Sequence, residues 1–221
     1  MSRRWRGVAT RAGWFALIVL CAYYLYRAVN YRFLTPGRLG PDLWNKQLWY
    51  FLHLAAALPV LVGAPLQFIP SLRTTRPSLH RTIGKLYVAG ATIAAITAFY
   101  LGAIVGEYEG SRLSIGLLAV VWLFFTLAAW RSAVARDFES HRLFMIRSYG
   151  MALVLVWLRL MDDAQGWLFF YVKNEDLRDA TREWASWIVP LLAIEMWLSW
   201  WPQLRARTRR PPRPPASGQT L

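Results

Sequence analysis

The sequence predicts an all-α integral membrane protein, a helical bundle with six transmembrane helices. Three observations predict it: the composition, a series of long apolar stretches and an uneven distribution of basic residues. Hydrophobic residues make up 56% of the 221 residues and charged residues only 17%, and the mean hydropathy is +0.27. A soluble domain has about 25% charged and 45–50% apolar residues. The composition therefore argues against a soluble globular enzyme.

Each transmembrane helix needs about 20 mostly apolar residues. Six stretches of the chain satisfy this requirement: 12–29, 47–70, 82–105, 113–136, 141–161 and 184–204. The first follows a basic start but has no small-residue cleavage site after it, so we interpret it as an uncleaved span. Residues 1–204 are expected to form one domain, in which the four central helices form the core and the first and last helices flank it. Residues 205–221, rich in proline and arginine, are expected to form a disordered cytoplasmic tail.

The basic residues predict the orientation of the chain. If the N-terminus is cytoplasmic, 17 of the 26 lysines and arginines fall in cytoplasmic segments, and most acidic residues fall on the other side. The positive-inside rule then predicts both termini in the cytoplasm and a protein of the inner (plasma) membrane. The same distribution accounts for much of the net charge of +14. We therefore expect the lipid bilayer as partner, with other membrane-protein subunits as candidates, and no nucleic acid.

Only a few ionisable side chains lie inside the apolar stretches. They are important because a charge at membrane depth is costly unless it is paired. His53 lies in the outer half of the second span. Arg147 lies about 9 Å from the inner end of the fifth span, and Glu195 about 13 Å from the inner end of the sixth. The similar depth predicts an ion pair between Arg147 and Glu195. It acts either as a structural clamp or in binding a ligand or moving a proton.

Two His-Arg pairs open predicted spans at the cytoplasmic edge: His80-Arg81 before the third span and His141-Arg142 before the fifth. They have three interpretations. They can anchor the helix starts to lipid phosphates. The two imidazoles can ligate a haem iron, with the arginines pairing with its propionates. Alternatively, the cluster can bind a lipid or quinone headgroup. His53 belongs to the other leaflet, so a three-histidine zinc site is not expected.

Other catalytic arrangements are missing from the sequence. It contains no glycine-rich phosphate loop and no G-x-S-x-G elbow. The single cysteine, Cys21, allows neither an intrachain disulfide nor a thiolate metal cluster. No catalytic residue is therefore assigned, and a stand-alone enzyme is not predicted.

The central spans carry a recognisable set of motifs. These are His53 and the segments 63–68 (GAPLQF), 80–87 (HRTIGKLY) and 141–149 (HRLFMIRSY). With them, residues 47–161 resemble the family of predicted bacterial membrane proteins known as domain of unknown function 2306. Phe144 stands where we expect tryptophan in many relatives. The resemblance implies a membrane fold without a reaction. In outline the chain is also similar to four-helix haem-b proteins and to small oxidase-assembly membrane proteins.

The functional expectation is a multi-pass membrane protein of unassigned activity with a His-Arg cluster on the cytoplasmic side. One alternative is a redox protein that binds haem b or a quinone through His80 and His141. The other is a structural or assembly subunit of a larger membrane complex.

Overall fold

The computed structural model describes residues 3–34, 43–106 and 109–208, and within these ranges the regular structure is entirely helical. The helices are α1 (Arg3–Val29), α2 (Leu43–Gln67), α3 (Pro70–Thr75), α4 (Pro77–Ala98), α5 (Glu109–Val134), α6 (Phe138–Ala152), α7 (Val154–Asp163), α8 (Gln165–Leu168), α9 (Glu175–Glu195) and α10 (Trp201–Thr208). Three π-helical segments, Asn30–Leu34, Phe99–Ile104 and Met196–Trp200, continue α1, α4 and α9.

Local sequence signals explain where several helices begin. Pro70 and Pro77 stand at the first positions of α3 and α4, where the missing N–H of proline costs no helical hydrogen bond. The Asp137 carboxylate accepts a hydrogen bond from the Ser140 N–H (3.1 Å) and caps α6. The Asn174 side chain caps α9 through the Leu177 N–H (2.9 Å).

Five helical stretches are long and apolar enough to cross a membrane: Ala12–Val29, Lys46–Gln67, Pro77–Ile104, Glu109–Val134 and Phe138–Asp163. At most 44% of the residues in any of their apolar windows are buried inside the protein. So much outward-facing apolar surface suits a lipid environment. The prediction of an all-helical membrane protein is confirmed, whereas the number of spans and the orientation stay predictions.

The predicted sixth stretch, 184–204, lies within the helical run from α9 to α10 and is not among the five. This run continues to Thr208, so the expected tail boundary at residue 205 falls inside a helix. Residues 209–221 of that tail lie outside the described residues.

Four helical units form the core, and they are arranged as a ring. α2 packs against α4, α4 against α5, α5 against α6, and α6 returns to α2. α4 and α6 therefore stand diagonally across the core. α1 packs on the outside against α2 and α7, and α9 packs against α5, α6 and α7. The first and last long helices thus flank the four-helix core.

Small residues allow the tightest of these contacts. α4 presents Gly90, Ala91 and Ala94 to α2, and all three are buried. A Cβ atom added to Gly90 would lie 2.6 Å from the Ala56 carbonyl oxygen and 2.9 Å from Pro59 Cγ. Small side chains bring membrane helices together because the backbones can then approach closely.

The predicted fifth span is divided into α6 and α7. The break is at Leu153, with φ −77° and ψ 2°, and it has no proline to signal it. Just before the break, α6 approaches α9 so closely that a Cβ at Gly150 would overlap Ile194 Cδ1. Beyond it, α7 diverges to pack against α1 and α9.

Candidate functional site

The two motif histidines occupy equivalent positions, because His80 is the fourth residue of α4 and His141 the fourth residue of α6. α4 and α6 both begin at the same end of the core. Seven residues beyond each histidine, the Tyr87 hydroxyl and Ser148 Oγ lie 2.8 Å apart, so α4 and α6 are in contact near this end. The fold therefore places the two histidines at the same end of the core, on helices that face each other across the bundle.

Hydrogen bonds orient the two rings differently. His141 Nδ1 lies 2.9 Å from the Ala129 carbonyl oxygen on α5. Because a carbonyl only accepts, Nδ1 carries the proton, and in neutral His141 the lone pair is on Nε2. Histidines that ligate metals are commonly held in this way. His80 Nδ1 is buried and has no hydrogen-bond partner among the described residues, while the His80 carbonyl accepts from Gln67 Nε2 (3.0 Å).

The neighbouring arginines, Arg81 and Arg142, are exposed. Neither makes a hydrogen bond or an ion pair with another described residue. Their guanidinium groups are therefore available to an anionic ligand at this end of the bundle.

His53 lies far from this pair. It precedes Gln67, the residue beside His80, by fourteen positions, or about 21 Å along α2. His53 Nδ1 lies 3.0 Å from the Ala94 carbonyl oxygen and 3.1 Å from Thr97 Oγ1, so its polar contacts join α2 to α4. Among the described residues, no group of three or more His, Cys, Asp or Glu side chains could hold a metal ion.

Arg147 and Glu195 meet between α6 and α9. Arg147 Nε lies 2.5 Å from Glu195 Oε1, and Arg147 Nη2 lies 2.9 Å from Oε2. Ser199, one turn further along, donates to the same Oε2 (2.9 Å), and the guanidinium lies 5.8 Å from the Phe144 ring centre. Both charged side chains are largely buried, at 14% and 24% exposure. The two-point contact gives the pair a defined geometry.

A buried chain of hydroxyl groups links three core helices, and we did not foresee it from the sequence. Tyr87 on α4 and Thr126 on α5 each lie 2.8 Å from Ser148 Oγ on α6. Thr126 donates to the Trp122 carbonyl (2.9 Å), and the Trp122 indole lies beside the Tyr87 hydroxyl. Tyr87 and Ser148 both stand seven residues after a motif histidine, which is the signal that could have revealed their pairing.

Aromatic side chains pack beside this chain. Tyr149, the last residue of the third motif, forms a three-ring cluster with Trp14 of α1 and Phe68 just after α2, whose ring centres are 6.5 and 6.1 Å away. The Tyr149 hydroxyl is buried and has no hydrogen-bond partner within the described part of the chain. The contact ties the flanking helix α1 to the motif residues of the core.

At the opposite end of the bundle, charged residues are paired across helices. Arg182 of α9 binds Asp179 (2.6 Å), Asp162 of α7 (3.3 Å) and Gln165 of α8 (2.6 Å). Glu183, the next residue, is enclosed beside them. Burial and the nearby Asp162 raise the pKa of the Glu183 carboxyl to about 7, against the opposing effect of neighbouring arginines.

The model of the family described as "Predicted membrane protein (DUF2306)" matches residues 50–198, which is more than half of the chain. The match includes all the motifs above and extends past residue 161 into α9, so that both Arg147 and Glu195 lie within it. The comparisons with curated proteins and with solved structures gave no match. On the evidence of this match, the chain belongs to the DUF2306 family of predicted membrane proteins.

Proposed function

We propose that this protein crosses the inner membrane six times with both termini in the cytoplasm and binds haem b through His80 and His141. The placement of these two imidazoles at the starts of α4 and α6, at one end of the core, carries the haem assignment. Two imidazoles on opposing helices can ligate a haem iron, and α4 and α6 stand opposite each other. Haem at this position would supply one-electron transfer.

The donor set fits the proposed ligand. His141 is held with Nδ1 bonded to a carbonyl, so that Nε2 is the free donor. The unpaired guanidinium groups of Arg81 and Arg142 are suited to binding two propionate carboxylates. This end of the bundle is also the end that the positive-inside rule assigns to the cytoplasm. The expected association with other membrane subunits stays a prediction.

The test is an optical spectrum of the protein purified from haem-replete cells. We expect a Soret band that shifts on reduction, and we expect it to be lost in His80→Ala and in His141→Ala. His53→Ala is the matched control, because His53 is a histidine of the same core that lies about 21 Å away. A colourless wild-type protein would contradict the proposal, as would a Soret band that persists in the His80→Ala/His141→Ala double variant.

A further inference from the structure

The end of the bundle that carries the two histidines has exposed arginines without acidic partners. Four of them lie in or beside the connections between the core helices, in the last turns of α3 and α5 or in the residues that follow. We name these four the basic rim: Arg73, Arg76, Arg131 and Arg136. Within the described chain none of the four makes a hydrogen bond or an ion pair through its side chain. At the other end, by contrast, Arg27, Arg159, Arg178 and Arg182 are all paired with carboxylates.

Acidic residues do little to neutralise the basic rim. The stretch 68–85, which covers the α2–α4 connection and the first turns of α4, contains none. Near Arg136 there are two, Asp137 and Glu139. Asp137 is engaged in capping α6, and hydrogen bonds from Ser140 hold the pKa of its carboxyl below the usual value. The rim is thus a net positive surface.

Arg136 adds a second, independent observation. Its φ is 62°, and it is the one residue other than glycine with a positive φ in the described chain. It ends α5 with a bond from the Asp137 N–H to the Ser132 carbonyl (2.9 Å), an arrangement in which glycine is the preferred residue. Arginine is sterically strained there, because its Cβ crowds the backbone. The presence of arginine in a backbone conformation that favours glycine indicates that its charged side chain serves a function.

Apolar side chains beside the rim indicate what it binds. Val134 and Phe138, on either side of Arg136, are both 67% exposed, and Ile69 and Leu79 flank the other loop with 41% and 40% exposure. Cations next to exposed apolar side chains match the boundary between lipid headgroups and acyl chains. A freely soluble anion would interact with the cations but would leave these apolar side chains without a partner.

We propose that the basic rim binds the phosphate groups of anionic phospholipids in the leaflet at the His80–His141 end of the protein. The proposal does not depend on haem, because none of the four rim residues belongs to the proposed imidazole site. Each basic side chain near an anionic membrane surface strengthens binding about fivefold. Four such residues together give a marked preference for anionic over zwitterionic lipid.

The test uses purified full-length protein in detergent, titrated with phosphatidylglycerol or with phosphatidylcholine, with lipid binding measured by native mass spectrometry and stability by Tm. We expect a preference for phosphatidylglycerol. Arg136→Gly should bind phosphatidylglycerol about fivefold more weakly, while its Tm in phosphatidylcholine rises because the backbone strain is relieved. Arg178→Gln, at the other end, is the matched control and should keep the wild-type preference.

Three results would overturn the proposal. One is an unchanged phosphatidylglycerol preference when all four rim arginines are replaced by glutamine. Another is an Arg136→Gly variant that is less stable than wild type in phosphatidylcholine, because position 136 would then not be strained by arginine. The third is an equal rise in Tm with inorganic phosphate, which would identify the ligand as a soluble anion and not a lipid.

Discussion

The hydroxyl group of Ser148 connects three helices by hydrogen bonds. It bonds Tyr87 of α4 and Thr126 of α5 from its own position on α6, and all three side chains are fully buried. Hydrogen bonds between membrane helices contribute about 0.6 kcal/mol on average and up to about 1.7 kcal/mol. Since Ser148 makes two, its removal also leaves two hydroxyl groups short of a partner.

We predict that Ser148→Ala lowers the free energy of unfolding by about 1–3 kcal/mol. The measurement is the Tm of the purified protein in detergent. Ser71→Ala is the matched control, because Ser71 is exposed on α3. Equal Tm values for the two variants would show that the hydroxyl chain does not stabilise the core.

Glu183 should make stability depend on pH. Burial and the nearby Asp162 and Asp179 favour the protonated form of the Glu183 carboxyl. Arg159 and Arg182 oppose this effect, and the resulting pKa in the folded protein is about 7. The ordinary value is 4.5. Because the fold raises this pKa, the proton stabilises the folded state below pH 4.5, and the stabilisation is lost as the pH rises through 7. The loss is at most on the order of 3 kcal/mol.

The prediction is therefore a Tm that falls between about pH 5 and pH 8, and a flatter profile in Glu183→Gln, which cannot ionise. Glu175→Gln is the control on the same helix, because Glu175 is 85% exposed. It should keep the wild-type slope. A wild-type slope in Glu183→Gln as well would assign the pH dependence to another group.

At the scale of helices, the Arg147–Glu195 pair joins α6 to α9. Removing one member of a buried ion pair costs about 3–5 kcal/mol, because the other charge is left unpaired. We predict that Arg147→Glu and Glu195→Arg each abolish or strongly reduce the yield of folded protein. The double variant should recover part of it, but not all, because the contact with Phe144 is lost. Yield and Tm in detergent measure both effects.

Arg159→Glu is the control for this charge swap. Arg159 belongs to the same predicted span and pairs with Asp162, but it is 44% exposed, and exposed pairs contribute about 0–1 kcal/mol. It should therefore be tolerated. A double variant no better than the worse single variant would argue against a direct role for the pair in stability.

The positions of the helices could be predicted from the sequence better than the breaks and π-helical segments that interrupt them. Long apolar stretches identify them, since an apolar run of that length suits only a helix in a bilayer. The depth of Arg147 and Glu195 follows from the rise of 1.5 Å per residue, and the structure brings the two side chains together. The break at Leu153 and the three π-helical segments depend on packing against neighbouring helices, which hydropathy does not record. No proline marks the break, and Pro59 and Pro65 lie within the continuous helix α2.

The candidate site shows the same division. Both histidines could be assigned to one end of the bundle, because each opens a helix that starts from the same side. The partnership of Tyr87 with Ser148 could not be assigned in this way, because it depends on how α4 and α6 are rotated about their axes. Matching Tyr87 to Tyr149 by residue type leaves them one position out of step, whereas counting seven residues from each histidine finds the partner.

For the molecule as a whole, the run from α9 to α10 determines whether the chain has five or six spans. It is 34 residues long if the π-helical segment is included, and it packs against α5, α6 and α7. Its stretch 184–204 contains one charged residue, Glu195, which is paired with Arg147. That pairing reduces the cost of placing a carboxylate in the bilayer. These features favour a crossing, and hence six spans.

Two reporter fusions distinguish six spans from five. Alkaline phosphatase, active only in the periplasm, is fused after Val172, and green fluorescent protein, bright only in the cytoplasm, is fused after Leu221. With six spans both reporters are active, because the two fusion points lie on opposite sides of the membrane. Phosphatase fused after Asp137, in a predicted cytoplasmic loop, is the inactive control. If Val172 and Leu221 were on the same side, α9 and α10 would not cross, and the Arg147–Glu195 pair would have to lie near a membrane surface.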